Sequence, residues 1–539
     1  MIKCPGVDPL AIAQARRPGG PQHISIAPTT CRPDLNNLNF RVRMPPTKEN
    51  FVDEQEDNQN PSERKNSLAG LAVWDFGGRL ANFAVLFVVS VLLTRLLTPA
   101  EFGSFAVVLA IVTFSSIFID LGFRSAVVQR QDITQKQLST VFFLNIFIGF
   151  LLFSAIFLSS TLIEEFYAIA GLADYIKATS SIFLINSLSL VPSGLLQKEL
   201  RLKALSVITT IAAAISGTVA VALALYGYGV WALVAQQLIL ATVTSLGAFI
   251  TSGWRPILLF SPSSIGPLWN YAIRLFLAGL SDTIFTRLDV FIIGKLFPIQ
   301  TLGFYNRAQS LDNLVKHFGS STTTSVAFPV IAKMADQVDN VRSFYLRCLN
   351  VIAFLSFLLV GVLFLTCFDI VVILFTDKWI DVGYYYRIMA LTGFVYPLSA
   401  LMVTLVAARG NSSAFLKLEI FKKAILFPAY LSFLFGGVMV FLVTLGVVYL
   451  IALGLNAEFV RREIGISIKE QFWVIYKYAS AGLLAGTAGY FASGSIENLF
   501  LHLVIASLTF FAIYLGICYK FGMSGMLEVI DRILALGNA

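Results

Sequence analysis

Charge is scarce in this 539-residue chain: Asp, Glu, Lys and Arg together make up 13%, against about 25% in soluble globular proteins. Histidine and cysteine are scarcer still, with 3 and 5 copies. The cysteines stand at 4, 31, 348, 367 and 518, scattered and without a CxxC pair. That argues against a disulfide-stapled domain and against a metal centre. No glycine-rich phosphate loop and no Ser/His/Asp or Cys/His set occurs, so neither an enzyme nor a bound cofactor is expected. What is abundant is apolar: 57% of residues, including 47 Phe. That much apolar surface excludes disorder for most of the chain. The remaining class is a polytopic membrane protein.

Residues 1–66 stand apart. They are rich in Pro, Asn, Gln and charge, as in Met44-Pro45-Pro46-Thr47 and Asp53-Glu54-Gln55-Glu56-Asp57. They read as a disordered cytoplasmic tail without the apolar core of a signal peptide. Met44 is an alternative start.

From Leu68 onward, apolar runs of spanning length repeat; one crossing takes roughly 20 residues. The spans fall at 71–97, 104–121, 139–162, 178–196, 204–226, 230–250, 268–297, 302–332, 344–366, 384–408, 420–436, 438–456, 476–492 and 499–520. This predicts an all-α protein of about fourteen transmembrane helices. The seventh and eighth are amphipathic, and only Gly436-Gly437 separates the eleventh from the twelfth. With both termini inside, the inner loops collect most of the loop cations, including Arg124, Arg130, Lys198, Arg201, Lys422, Lys423, Arg461 and Arg462. Arg95, Lys177, Lys295 and Lys378 are left at the outer edges. That bias is the one that insertion imposes. It also accounts for the formal net charge of +8 without a nucleic-acid partner.

The chain repeats itself. Trp74-Asp75-Phe76-Gly77-Gly78-Arg79-Leu80 is similar to Trp269-Asn270-Tyr271-Ala272-Ile273-Arg274-Leu275. Arg95-Leu96-Leu97 followed by Phe102-Gly103 is similar to Lys295-Leu296-Phe297 followed by Leu302-Gly303. Six helices separate the copies, so both cross in the same sense. A pseudo-two-fold along the membrane normal should then relate an N-lobe (67–260, helices 1–6) to a C-lobe (261–456, helices 7–12). Helices 13–14 and a tail follow at 457–539. Substrate is expected between the lobes, near mid-depth.

Several stretches resemble one family. Arg95-Leu96-Leu97-Thr98-Pro99-Ala100-Glu101-Phe102-Gly103, Ile119-Asp120-Leu121-Gly122-Phe123, Asp289-Val290-Phe291-Ile292-Ile293-Gly294-Lys295, Leu302-Gly303-Phe304-Tyr305-Asn306-Arg307 and Phe328-Pro329-Val330 occur in the order and spacing of the lipopolysaccharide/exopolysaccharide biosynthesis flippases. These belong to the multidrug/oligosaccharidyl-lipid/polysaccharide exporter superfamily. The resemblance covers roughly 68–520; residues 1–66 have no counterpart and 424–460 depart from the pattern. It implies translocation of polyprenyl-pyrophosphate-linked oligosaccharide units across a bacterial inner membrane, for O-antigen, capsule or exopolysaccharide. A polysaccharide polymerase and chain-length machinery are the partners it implies, beside the lipid bilayer.

Such a cargo needs a shielded polar path with fixed positive charge, and arginine suits phosphate because its planar fork stays charged. Arg79, Arg274, Arg287, Arg307 and Lys316 are the candidates for a cationic cavity. Arg79 and Arg274 could equally anchor their helices at the surface. Asp282, Asp289, Asp312, Asn145 and Asn186 are candidate supporting polar groups. Asn145 and Asn186 could equally bridge helices, and Asp75 and Asp120 could cap or neutralise nearby arginines. Asp312 and Lys316, and Asn313 and His317, lie four apart on helix 8, which also carries a Ser/Thr run over 320–325. So polar a helix lines water or packs inside protein. Pro192, Pro329 and Pro397 are expected to kink their helices. A cation-coupled drug exporter of the same superfamily is the alternative and would favour a carboxylate-centred pocket. A membrane glycosyl polymerase or ligase would need a larger outer loop than 163–177 or 367–383 offers.

Overall fold

The computed structural model describes residues 61–130, 132–261 and 265–537. Residues 1–60 of the expected tail lie outside them. Seventeen α-helices and one short 3-10 turn make up the described chain, with no strand among the described residues. They are α1 (Pro61–Leu96), α2 (Pro99–Asp120), α3 (Phe123–Gln129), α4 (Gln135–Tyr167), α5 (Leu172–Lys198), α6 (Leu202–Leu225), α7 (Val230–Ser252), α8 (Gly266–Leu296) and α9 (Ile299–Lys333). After them come α10 (Val338–Phe375), α11 (Ile380–Leu391), α12 (Val395–Ala408), α13 (Ser412–Leu431), α14 (Phe433–Ile464), α15 (Ile468–Ser493), α16 (Leu499–Lys520) and α17 (Ser524–Gly537).

The helix starts follow from local chemistry. Thr98 and Glu101 close a capping box on α2, with Pro99 in its first turn, and Thr134 with Gln137 does the same for α4. Such boxes satisfy backbone N–H groups that the helix itself leaves unpaired. Asn411, Ser467 and Asn498 cap α13, α15 and α16. α1 begins at Pro61, inside the stretch expected as tail. Proline suits the first helical position because its missing N–H would find no partner there.

Nine helical segments among the described residues are long and apolar enough to cross a membrane. The chain is a multi-pass membrane protein. Every expected span coincides with helix, but α1, α8, α9, α13 and α15 are not among the nine segments that qualify by length and composition. The tenth expected span is broken: α11 ends at Leu391, and α12 resumes at Val395 with Pro397 in its first turn. Gly436 and Gly437 leave helical geometry inside α14. Gly437 has φ +73°, which a side chain would oppose. Pro192 and Pro329 sit within α5 and α9.

In the first half, α4, α5, α7 and α6 pack in succession, with α2 against α5. In the second half, α9 packs on α11 and α12, and α14 covers α12 and α13. α15 and α16 lie against α10, and α17 closes over its start. The two halves meet mainly through α2 against α9 and α8, and through α3 against α8. Part of that seam is aromatic. Phe118 meets Phe276 at 5.4 Å and Phe114 meets Phe291 at 6.4 Å between ring centres. Phe123, Ala126, Leu268 and Ala272 bury one another at its α3 end. α8 is shared: one side packs on the first half, and the other borders the cavity described next.

Candidate functional site

A cavity of about 660 Å³ lies within the second half of the chain, a size common for small-molecule sites. Its lining runs from Asp282 to Ala452 and includes no residue of α1–α7. This cavity is lined from the second half alone, whereas the sequence placed the substrate between the lobes. α8 packs on α2 and α3 with one side and borders the cavity with the other, and phenylalanines close part of the interlobe seam.

Depth follows from helix geometry. At a rise of about 1.5 Å per residue, Asp289 lies about 10 Å, and Lys316 about 25 Å, along their helices from the adjoining ends of α8 and α9. The site is therefore central rather than at a surface.

Asp289 is 6% exposed and accepts three hydrogen bonds. They come from the Tyr305 hydroxyl, from Gln309 Nε2 at 3.0 Å and from the Val290 N–H at 2.8 Å. Asp312 and Lys316 form an ion pair at 2.5 Å, as their four-residue spacing on α9 allows. The Lys316 ammonium also stands 5.9 Å from the Tyr396 ring and 5.7 Å from that of Tyr449, within cation–π range. Across the cavity, Lys423 donates to Ser281 Oγ at 3.0 Å, and Lys422 pairs with Glu419. Arg287 and Asp282 line the same space. Arg287 makes no ion pair or hydrogen bond among the described residues. A half-buried guanidinium whose N–H groups make no hydrogen bond among the described residues can still donate to an anion.

The lining thus gathers four carboxylates (Asp282, Asp289, Asp312, Glu419) and four cations (Arg287, Lys316, Lys422, Lys423) with Tyr396, Tyr430 and Tyr449. Arg287 and Lys316 were expected among its cations and Asp282, Asp289 and Asp312 among its supporting groups; Lys422, Lys423 and Glu419 were not. Sequence reading missed Lys422, Lys423 and Glu419 because Lys422 and Lys423 were assigned to an inner loop. The 419/422/423 spacing, which places all three on one face of a helix, was the available signal. Tyrosine carried no signal of its own in a chain this aromatic.

Arg274, Arg307, Asn145 and Asn186 lie outside this lining. Arg274 is exposed and outside the lining. The side chains of Arg79, Asp75, His317 and Ser320–Ser325 are outside the described residues. Arg307 sits in the seam: its guanidinium donates to Ser90 Oγ at 2.8 Å and Thr94 Oγ1 at 3.1 Å, and stacks 4.2 Å from the Phe102 ring. Its Nε has neither solvent nor a partner. Asn145 is fully buried in α4, with both side-chain polar atoms unpaired, so it neither lines the cavity nor bridges helices by a hydrogen bond. Asn186 is half-buried on α5, also away from the lining. Asp120 accepts the Arg124 N–H at 3.1 Å and caps α3.

A family model described as polysaccharide biosynthesis protein matches residues 92–383, from the end of α1 to the start of α11. The chain belongs to the polysaccharide biosynthesis protein family. Within that family, it is similar to the teichuronic acid biosynthesis protein TuaB of Bacillus subtilis, 26% identical over 356 residues, 65% of this chain and 73% of that one. It is also similar to the lipopolysaccharide biosynthesis protein WzxC of Escherichia coli, 24% identical over 373 residues, 68% of this chain and 75% of that one. Among solved structures, the lipid II flippase MurJ in an inward closed conformation superposes with TM-score 0.68 at 13% identity, covering 84% of this chain and 98% of that one. That likeness shows the fold, a polytopic helical bundle, and it agrees with the fold expected from the motifs.

Proposed function

We propose that this polysaccharide biosynthesis protein translocates polyprenyl-diphosphate-linked oligosaccharide units across the bacterial inner membrane, with both termini in the cytoplasm. The carrying observation is Arg287: a guanidinium that faces a polar cavity and makes no ion pair or hydrogen bond among the described residues. Bilayer-buried charge is costly and marks a pathway. Two phosphates presented there would pair with Arg287, while Lys422 and Lys423 stand opposite. Tyr396 and Tyr449, with the carboxylates of Asp282 and Asp312, suit the mixed apolar and hydroxyl faces of sugars. Names of the relatives support the reading: teichuronic acid and lipopolysaccharide biosynthesis for TuaB and WzxC, and lipid II flippase for the MurJ fold neighbour. A polymerase that consumes the delivered units would be the partner downstream.

Deletion of the gene should leave lipid-linked units in the inner leaflet and abolish surface polymer, and the wild-type chain should restore it. Restoration by Arg287→Gln at equal membrane abundance would overturn the anion-path reading. A second reading, export of cationic drugs, draws on the four carboxylates of the lining. It predicts drug sensitivity on deletion with polymer unchanged.

A further inference from the structure

Among the charged side chains of the second half, Arg387 faces away from the cavity. It stands seven residues into α11, about 10 Å from its start at a rise of about 1.5 Å per residue. Met389 and Thr392, close by in the chain, line the cavity. Successive helical residues turn by about 100°, so Arg387 lies on the side of α11 opposite Met389. Ile380, Tyr384 and Leu391 share that side with it, and all three are exposed. On a membrane-spanning bundle, an exposed apolar stripe of this kind faces lipid.

The surroundings of Arg387 are aromatic. Its half-buried guanidinium lies 4.6 Å from the Phe364 ring and 5.9 Å from that of Phe368, both on α10, within cation–π range. Gly383 admits the Phe368 ring against α11, since a Cβ there would fall 2.5 Å from it. Tyr384, one turn nearer the start of α11, meets Phe368 edge-on at 5.0 Å. Neither the Arg387 guanidinium nor the Tyr384 hydroxyl makes an ion pair or hydrogen bond among the described residues. Phe364 and Phe368 stand near the end of the stretch 348–368, which holds no Asp, Glu, Lys, Arg or His and has the length of one crossing. An exposed tyrosine at that level matches the interfacial belt, where rings with a polar tip meet the headgroups. Arg387 thus sits where hydrocarbon gives way to headgroups.

We propose that Arg387 and Tyr384 hold the phosphate of an anionic glycerophospholipid, at a site on the lipid-facing surface of the second half and separate from the cavity. A cation at the margin of hydrocarbon is costly without an anion. The planar fork of arginine donates two parallel bonds to a phosphodiester, and the phenol adds a further donor. One phosphodiester charge matches one guanidinium. A carrier diphosphate brings more charge, and Lys378, beyond the start of α11, is already engaged with the Arg95 carbonyl. The acyl chains would run past Leu391, the exposed residue one turn deeper. Just beyond it the span breaks before Val395, so a lipid held here braces the helix whose other side borders the cavity. Assigning this lipid to the outer leaflet rests on the orientation proposed above; the site itself does not depend on the cargo.

Native mass spectrometry and lipid-dependent melting of the purified full-length chain test it. Added phosphatidylglycerol should raise the melting temperature and be retained by the native chain. Arg387→Gln should weaken that retention by about tenfold or more and remove most of the rise. Tyr384→Phe should weaken it a few-fold, and Arg387→Lys should fall between Arg387→Gln and the native chain, because it keeps the charge and loses the fork. Without added lipid, all three variants should melt as the native chain does. Phosphatidylcholine with the same acyl chains should give a much smaller rise, since its own cation competes for the phosphate. Equal retention of phosphatidylglycerol by Arg387→Gln, an equal rise with phosphatidylcholine, or displacement of phosphatidylglycerol by a lower concentration of polyprenyl diphosphate would each overturn the site. So would a lower melting temperature of Arg387→Gln without lipid with the lipid-induced rise intact, which would make Arg387 a packing residue.

Discussion

Asn145 in α4 and Asp289 in α8 are both polar side chains buried inside the bundle, and their surroundings differ completely. Asn145 touches no partner at either polar atom. Asp289 faces the cavity and accepts three hydrogen bonds. The contrast holds for their neighbourhoods. Several buried polar groups of the first half are small hydroxyls turned back onto their own helix, as Ser104 onto Ala100, Thr140 onto Lys136 and Ser187 onto Leu184. Those bonds need no ligand and no second helix. The second half instead holds carboxylates, ammonium groups and a guanidinium around one space. The two halves thus differ in what their buried polar groups do, and the charged ones gather around the cavity of the second. Charge inside a bilayer-spanning bundle persists where it serves a pathway.

Lys316→Met should be the most damaging single change. It leaves Asp312 buried without its partner, a loss of about 3–5 kcal/mol. Membrane abundance and thermal stability should both drop, and Asp312→Asn in the same chain should restore them while export stays lost. Full stability of the single variant would show that the pair is not buried in the way described. Arg287→Gln should cost export at least tenfold, since a charge-assisted contact contributes about 1.5–3 kcal/mol, with melting temperature unchanged because the side chain has no bonded partner to abandon. Melting together with export loss would make Arg287 structural. Gly437→Ala should cost about 1 kcal/mol through its left-handed φ, read as a modest fall in melting temperature. The smallest effect is expected in the first half. Asn145→Leu removes two unsatisfied groups, so stability should hold or rise slightly and export should stay normal; an export defect there would erase the contrast between the halves.

The fold was largely legible because helices of spanning length announce themselves by run length and loop charge. Breaks were visible where glycine or proline forced them, at Gly436-Gly437 and before Pro397. The site was legible only in part. Arg287, Lys316, Asp282, Asp289 and Asp312 stand out as ionisable groups in apolar surroundings, and all five line the cavity. Arg307 stood out equally and went to the seam, because its direction is set by where α9 crosses α1 and α2, which spacing along one helix does not encode. Lys422 and Lys423 were hidden by the reverse error: charge near a loop resembles topology charge until the helix is known to begin at Ser412.

The central claim is that the cargo passes through the cavity of the second half. A photoreactive polyprenyl-diphosphate saccharide, crosslinked in native membranes and mapped by peptide sequencing, tests it most directly. The account predicts label on α8, α9, α13 and α14, reduced at least tenfold by Arg287→Gln. Label confined to α1–α7, or unchanged label in Arg287→Gln, would contradict it.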